Sequence, residues 1–398
     1  MNPQTMNVPV WLRRWLIFAF VFYYWGFYIF PTQGAHKTSF YLVVVIPVAL
    51  ALVLAGAGMR AWWRVCFPVV LALAYLWLSV LWGETAGMAA LVQFGKPLLG
   101  IILLLALAVF FRTYAPPSAM RWVWHGVLLL SMGGGILLLS RDNVIQQALA
   151  DRLSGLGAWH NAIQLGYVHG LAVLIALYLF LTTARTRASW LYLLPIVLGV
   201  ALILLSKSRG PLIALSLCAF LIVWRYAAWQ WAVVMLGVSL LALAGLTFTP
   251  MGEHLYSRLT DSSFRPAIWH SAWDAFCHSP VIGLGLHYPL KIVTPQGVFD
   301  HSHNLLLDIL RFGGLIGLGL FLWAVALTSL RAWRLGTEQT RFWVILLGFG
   351  FVCILTDGKV PLQGPNNFWL LLWIPMGILL ADTARARSGM APVTSSSE

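Results

Sequence analysis

The sequence predicts an all-α integral membrane protein of about twelve transmembrane helices, interrupted once by a large loop that carries helix of its own. Three observations predict it. Of 398 residues, 60% are hydrophobic and 9% charged, whereas about a quarter of a soluble domain is charged. The chain divides into apolar runs near the roughly 20 residues that cross a bilayer as helix. Thr249 to Leu310 is the only long polar interruption, and it holds six of the ten histidines.

The candidate spans fall at 12–30, 38–55, 65–82, 92–111, 122–140, 162–182, 190–206, 211–224, 229–248, 304–329, 342–356 and 367–382. The run from Trp11 to Phe30 is too long for a cleavable signal and lacks a small-residue cleavage site, so it reads as the first span. Residues 1–248 then carry helices one to nine, 249–303 form the loop, 304–385 carry the last three helices, and 386–398 are a polar tail. Orientation follows the positive-inside rule. With the N-terminus in the cytoplasm, the cytoplasmic segments hold more than half of the basic residues, among them Arg13, Arg14, Arg112, Arg225, Arg341 and Arg385. Their acids are Glu338, Asp382 and Glu398, while Glu84, Asp142, Asp151, Asp274, Asp300 and Asp357 lie on the other side. Both termini are therefore expected in the cytoplasm and the long loop outside it.

Topology leaves Lys37, Lys96, Arg141, Arg152, Lys207, Arg209, Arg258, Arg265, Lys291, Arg311 and Lys359 facing outward or at the outer membrane boundary. A charge inside hydrocarbon is costly, so cations there point to an anionic ligand at the outer face. Nucleic acid does not fit the net charge of +13, because no basic stripe stands apart from the spans. No P-loop, Rossmann fingerprint or soluble domain offers a nucleotide site, so no cofactor is expected. The four cysteines lack metal spacing; Cys66, Cys218 and Cys353 sit in apolar runs, and Cys277 is alone in the loop.

Three stretches could carry chemistry. Ser206-Lys207-Ser208-Arg209-Gly210-Pro211 puts two cations in a tight turn before a helix, and free N–H groups at a helix start favour phosphate. Snorkelling toward lipid headgroups is the plainer reading of the same residues. In the loop, Ile268, Ala272 and Phe276 repeat at helical spacing, which predicts an amphipathic helix from about Phe264 to Cys277 with Arg265 at its start. A cation there opposes the helix dipole unless an anion lies between them, and Trp269 and Trp273 read as membrane anchors. Finally, Asp300-His301-Ser302-His303-Asn304 precedes an apolar run, with Ser302 or Asn304 able to cap the helix. Two histidines with Asp300 and Asp308 could bind a metal, but no third ligand is evident. A histidine beside a carboxylate at a cavity mouth makes a better general base, its pKa lying near neutral. Two residues apart, only one of the two histidines need face the cavity. Pro280-Val-Ile-Gly283-Leu-Gly285 reads as a turn, not a nucleotide motif.

Together, SKSRGP (Ser206–Pro211), FRPAIW (Phe264–Trp269), PVIGLGL (Pro280–Leu286) and HSHNLLLDILRFGGLIGLGL (His301–Leu320) resemble the O-antigen ligase and polymerase superfamily of bacterial membrane glycosyltransferases. The resemblance covers roughly 200–385; the earlier spans add hydropathy only. It implies a GT-C-like fold and a glycan taken from undecaprenyl pyrophosphate at the periplasmic face of the inner membrane. In a ligase the glycan passes to a sugar hydroxyl of lipid A–core, with inversion and no metal. Carried onto this chain, Arg209 and Arg265 would bind the pyrophosphate, with Lys207 and Lys96 as further cations, and His303 would act on the acceptor. Asp357 matches a further acidic position, with His301 as the other candidate near the acceptor. The expected partners are the lipid-linked donor, lipid A–core and membrane lipids. An O-antigen polymerase and a protein O-oligosaccharyltransferase would use the same donor, and a lipid-glycan transporter would move it without chemistry. A transporter should carry charges deep in its spans and paired broken helices.

Overall fold

The computed structural model describes residues 6–84, 86–227, 230, 265–286, 288, 292–294 and 297–389. All but one residue of the expected span at 229–248, and the loop from 249 to 264, lie outside them. Among the described residues, nine helical segments are long and apolar enough to cross a membrane. The protein is thus a multi-pass helical membrane protein. Its only described strands form a small ribbon, β1 (Ile292–Thr294) antiparallel to β2 (Gly297–Phe299).

The expected spans map onto these segments unevenly. Helix α1 (Val10–Ile29) is not among the nine, because Arg13, Arg14 and a run of Tyr and Trp dilute its apolar character. It is nevertheless well packed: Phe20 stacks on Phe111 at 4.2 Å, and Trp25 donates to Val123 O at 3.0 Å. The next two expected spans appear as one helical run, Gln33–Trp82. It comprises α2 (Gln33–Phe40), a π turn, α3 (Ile46–Ala55), a break, and α4 (Arg60–Leu78) with a final 3₁₀ turn. The break falls at Gly56, whose φ of +44° is open to glycine and strained for other residues.

There follow α5 (Met88–Tyr114), α6 (Ala119–Leu139), the short α7 (Val144–Ala150), α8 (Ala162–Thr182), α9 (Leu193–Ser206) and α10 (Arg209–Tyr226). In the loop α11 (Arg265–His278) forms as its periodicity predicts, with Ile268, Ala272 and Phe276 buried. The last three are α12 (Leu305–Trp333), α13 (Glu338–Asp357) and α14 (Ile374–Arg387), the last preceded by a π turn at Trp369–Trp373.

Helix α8 is the central column, buried continuously from Leu165 to Ala176. Close approach of its neighbours depends on small residues, as is usual between helices in a membrane. A Cβ on Gly166 would stand 2.6 Å from Pro211 on α10, and one on Gly170 would stand 2.6 Å from the Phe349 ring on α13. The two glycines form a GxxxG pair.

Helix α12 is broken. Gly314 adopts φ +61°, ψ −162°, and the segment Pro280–Leu286 fills the break. Leu284 N and Gly285 N donate to Arg311 O and Phe312 O at 2.8 and 3.0 Å. In return Leu315 N and Ile316 N donate to Pro280 O and Val281 O at 2.8 and 3.1 Å. Every backbone group at membrane depth needs a partner, so the inserted segment replaces the hydrogen bonds the helix gives up. PVIGLGL is thus more than the simple turn its sequence predicts.

The charges sort into two groups by contact. At one end Arg112 Nε pairs with Asp382 at 2.7 Å, Glu338 takes Arg225 and Arg341, and the Arg13 guanidinium lies over Tyr114. At the other end His303 meets Asp357, Lys359 meets Asp300, and Arg152 meets Ser208. These are the two sets that charge asymmetry assigns to opposite faces.

Candidate active site

Five element ends and one helix face converge at the second of these ends. The local sequence accounts for each end. Asn304 caps α12, its Oδ1 accepting from Leu306 N and Leu307 N at 3.0 and 3.3 Å. His303, just before the cap, has φ +53°. Left-handed backbone is uncommon outside glycine and is found mainly at Asn, Asp and His. Asp357 is the last residue of α13, and Arg209 and Arg265 are the first residues of α10 and α11. Lys207 ends α9 in the left-handed conformation, which turns the chain into α10 within a residue.

The centre is a histidine–carboxylate pair. His303 Nδ1 donates to Asp357 Oδ1 at 2.8 Å, with both side chains about one-fifth exposed. A carboxylate only accepts, so Nδ1 carries a proton, and in the neutral ring Nε2 offers a lone pair. His301 lies alongside, its ring centroid 3.9 Å from that of His303, and Phe299 meets His303 edge-on at 5.7 Å. Both histidines therefore sit on one side, against the alternation their spacing predicts, because the left-handed residue breaks the extended geometry.

His301 Nδ1 donates to Asp300 Oδ1 at 2.5 Å, and Lys359 Nζ is 3.7 Å from the same oxygen. Burial draws the His301 pKa below its usual value, and His303 and Lys359 act in the same direction against Asp300. The hydrogen bond from His301, followed by Lys359, lowers that of Asp300. The pair is thus a neutral imidazole donating to a carboxylate.

Packing brings Arg209 and Arg265 toward this pair. Gly210 lies against Thr356, the neighbour of Asp357: a Cβ there would meet Thr356 Oγ1 at 2.1 Å. Arg265 and Asp357 both act electrostatically on the hydroxyl of Tyr167 on α8. The start of α10 has no side-chain cap. Instead the Ser208 hydroxyl bonds Ala162 O at 3.0 Å and receives Arg152 Nη2 at 2.9 Å. First-turn N–H groups, two arginines and a histidine with an open Nε2 make a surface suited to an anion next to a proton acceptor.

One expectation needs correction. Arg311, grouped by sequence with the outward cations, is 1% exposed. It pairs with Asp308, also 1% exposed, at 3.1 Å, reaches Tyr288 O at 3.2 Å, and lies over the Phe312 ring. Helical spacing of three makes the pair, and the break at Gly314 makes room for it. Asp308 is thereby engaged, and its Oδ1 also accepts from Ser302 N at 3.2 Å. Trp269, expected as a membrane anchor, stays partly exposed and also ties two elements, donating from Nε1 to Ser302 O at 3.1 Å, so α11 and the histidine loop are joined directly. Lys96 stays exposed on α5, and among the described residues no hydrogen bond or ion pair joins it to the cluster. The Asp308–Arg311 pair and the break at Gly314 lie in the same helix, α12.

Tyr167 and the Arg152–Ser208 contact were not singled out by sequence reasoning. The GxxxG pair flanking Tyr167 was a usable signal, since it marks the face of α8 that others approach.

Comparison with known proteins agrees with the resemblance. Residues 170–322 match the family model described as O-antigen ligase. That segment carries Lys207, Arg209, Arg265, His301, His303 and the break in α12. The chain is also 27% identical over 362 residues to an O-antigen ligase of Pseudomonas aeruginosa, covering 88% of this chain and 86% of the relative. These matches support a membrane glycosyltransferase-like enzyme with a ligase- or polymerase-type role.

Proposed function

We propose, from this similarity to O-antigen ligases, that the protein is itself one. It moves a glycan from undecaprenyl pyrophosphate to a sugar hydroxyl of lipid A–core at the periplasmic face of the inner membrane. Both termini are cytoplasmic in this reading, the 249–303 loop is periplasmic, and the helical bundle is GT-C-like. The observation that carries it is the His303–Asp357 pair set beside two helix starts that bear arginine.

The chemistry is a single displacement with inversion. The acceptor oxygen bonds to the anomeric carbon as the bond from that carbon to the pyrophosphate oxygen breaks. The acceptor proton passes to His303 Nε2, which Asp357 keeps open by holding Nδ1–H. Negative charge growing on the departing pyrophosphate is met by Arg209 and Arg265, whose planar forks bind phosphate oxygens in pairs. Lys207, in the turn before Arg209, adds positive potential, and Lys96 is a peripheral contributor. The donor is already activated, so neither ATP nor a metal is required for this step.

A purified-component assay tests the proposal. Lipid-linked glycan is supplied with lipid A–core, a second lipid-linked glycan or a Ser/Thr peptide, and product is followed for each. Transfer to lipid A–core supports the ligase. Elongation of the second lipid-linked glycan would identify a polymerase instead, and donor flipping with no transfer would identify a transporter.

A further inference from the structure

We propose that Tyr167 is a positioning residue for the His303–Asp357 pair, its hydroxyl holding the second carboxylate oxygen of Asp357 so that the first stays on His303 Nδ1. The assignment rests on reading His303 as the base.

Tyr167 is 1% exposed, and its hydroxyl has no hydrogen-bond partner among the described residues. Buried hydroxyls are almost always paired, and an orphan calls for explanation. Asp357 gives Oδ1 to His303, and no described hydrogen bond closes on Oδ2. A buried donor therefore stands near the carboxylate oxygen that His303 leaves open. The neighbourhood is set by packing: Gly166 admits Pro211, and Gly210 admits Thr356, so α8, α10 and the end of α13 meet around Tyr167. The groups acting on its hydroxyl are Asp357, Cys353 one turn before it, and Arg265. A pyrophosphate that engages Arg265 would leave Asp357 as the remaining charged partner of the hydroxyl.

The physical consequence concerns proton affinity. A donor on Asp357 Oδ2 takes up part of the carboxylate charge that otherwise stabilises imidazolium. Tyr167 would thus keep His303 neutral to lower pH and hold its ring in register. The other charged or titratable groups around His303 are His301 and Asp300 from its own loop, Lys359 from the segment after α13, and Arg209 and Arg265 at the starts of α10 and α11. The Tyr167→Phe change leaves all of them in place.

The test uses the full chain in lipid nanodiscs. In Tyr167→Phe, the His303 ring should take up its proton at higher pH than in wild type, read by NMR of ring-labelled histidine and assigned with His303→Gln. The acidic limb of the rate profile should move up with it, and kcat should fall about tenfold, below the full cost of losing a general base, with the donor KM unchanged. In Asp357→Asn, the same Tyr167 change should have little further effect, as expected of coupled residues. A merely orphaned hydroxyl predicts the opposite: Tyr167→Phe would be neutral or stabilising, and the His303 titration would not move. That result would overturn the assignment. Failure of the proposed function is separable, since a chain that transfers to no acceptor would still show the titration shift.

Discussion

His303 holds a left-handed backbone at φ +53° between a buried serine and a helix cap. Such conformations persist only where the surroundings over-determine them, and they cluster at functional sites. Here Asn304 fixes the chain after it, and Ser302, held by Asp308 and Trp269, fixes the chain before it. His303→Ala should lower turnover about 10²–10⁴-fold, the usual worth of a positioned base, while binding of lipid pyrophosphate, measured directly, stays intact. His301→Ala should be much milder. The sign of the pH dependence separates the two histidines. Burial lowers the His301 pKa, so His301 charges only below the ordinary histidine range. The loss of rate on acidification should then persist in His301→Gln, and a limb that vanished there would transfer the role of base to His301. Arg209→Ala and Arg265→Ala should each abolish transfer in a protein that still folds, with lysine rescuing only in part because a point charge cannot reproduce the bidentate fork. Near-normal turnover of both alanine variants at saturating donor would end the pyrophosphate assignment.

At the scale of elements, the site depends on how closely three helices approach. The first turn of α10 lies against the last turn of α13 because residue 210 has no side chain. Gly210→Ala should push Asp357 away from His303 and reduce transfer, while helical content by circular dichroism is unchanged. The Cβ–Thr356 Cβ approach of 3.0 Å is far less severe than the 2.1 Å to Oγ1. The double variant Gly210→Ala/Thr356→Ala should therefore recover part of the activity. Recovery of none would mean that the α10–α13 contact does not set the pair. The break in α12 is a second such device. It gives up helical hydrogen bonds at Gly314, takes replacements from Pro280–Gly285, and houses the Asp308–Arg311 pair. A buried ion pair contributes little net stability, but removing one partner leaves an uncompensated charge. Its attested contact is with Ser302 N, so it serves to hold the histidine loop.

For the whole molecule, the charge asymmetry and the contact groups agree on two ends. The topology reading puts the His303 end in the periplasm. Cys277 near the end of α11 is exposed, whereas Cys66, Cys218 and Cys353 are buried. A membrane-impermeant maleimide should therefore modify Cys277 from the periplasmic side in cells with an opened outer membrane. Modification only after the inner membrane is breached would invert the topology.

Much of this was legible in the chain because it is local physics. Hydropathy marks spans, basic residues mark ends, and the starts at Arg209, Arg265 and Asn304 carry their own helix-start signals. The two arginines and His303 lie at those positions, and the roles proposed for them come with the family resemblance. The partner of His303 lies 54 residues away, and the choice of Asp357 over Asp300 or Asp308 rests on which helix ends meet. Tyr167 enters the site only because glycines let α8, α10 and α13 close up. Arg311 turned inward because a helix breaks where another segment can satisfy it. Sequence by itself determined the membrane class, the charged ends and the helix starts, since those depend on near neighbours and on solvent. Tertiary structure alone decided which side chains meet, since that depends on contacts between distant segments and on one left-handed dihedral.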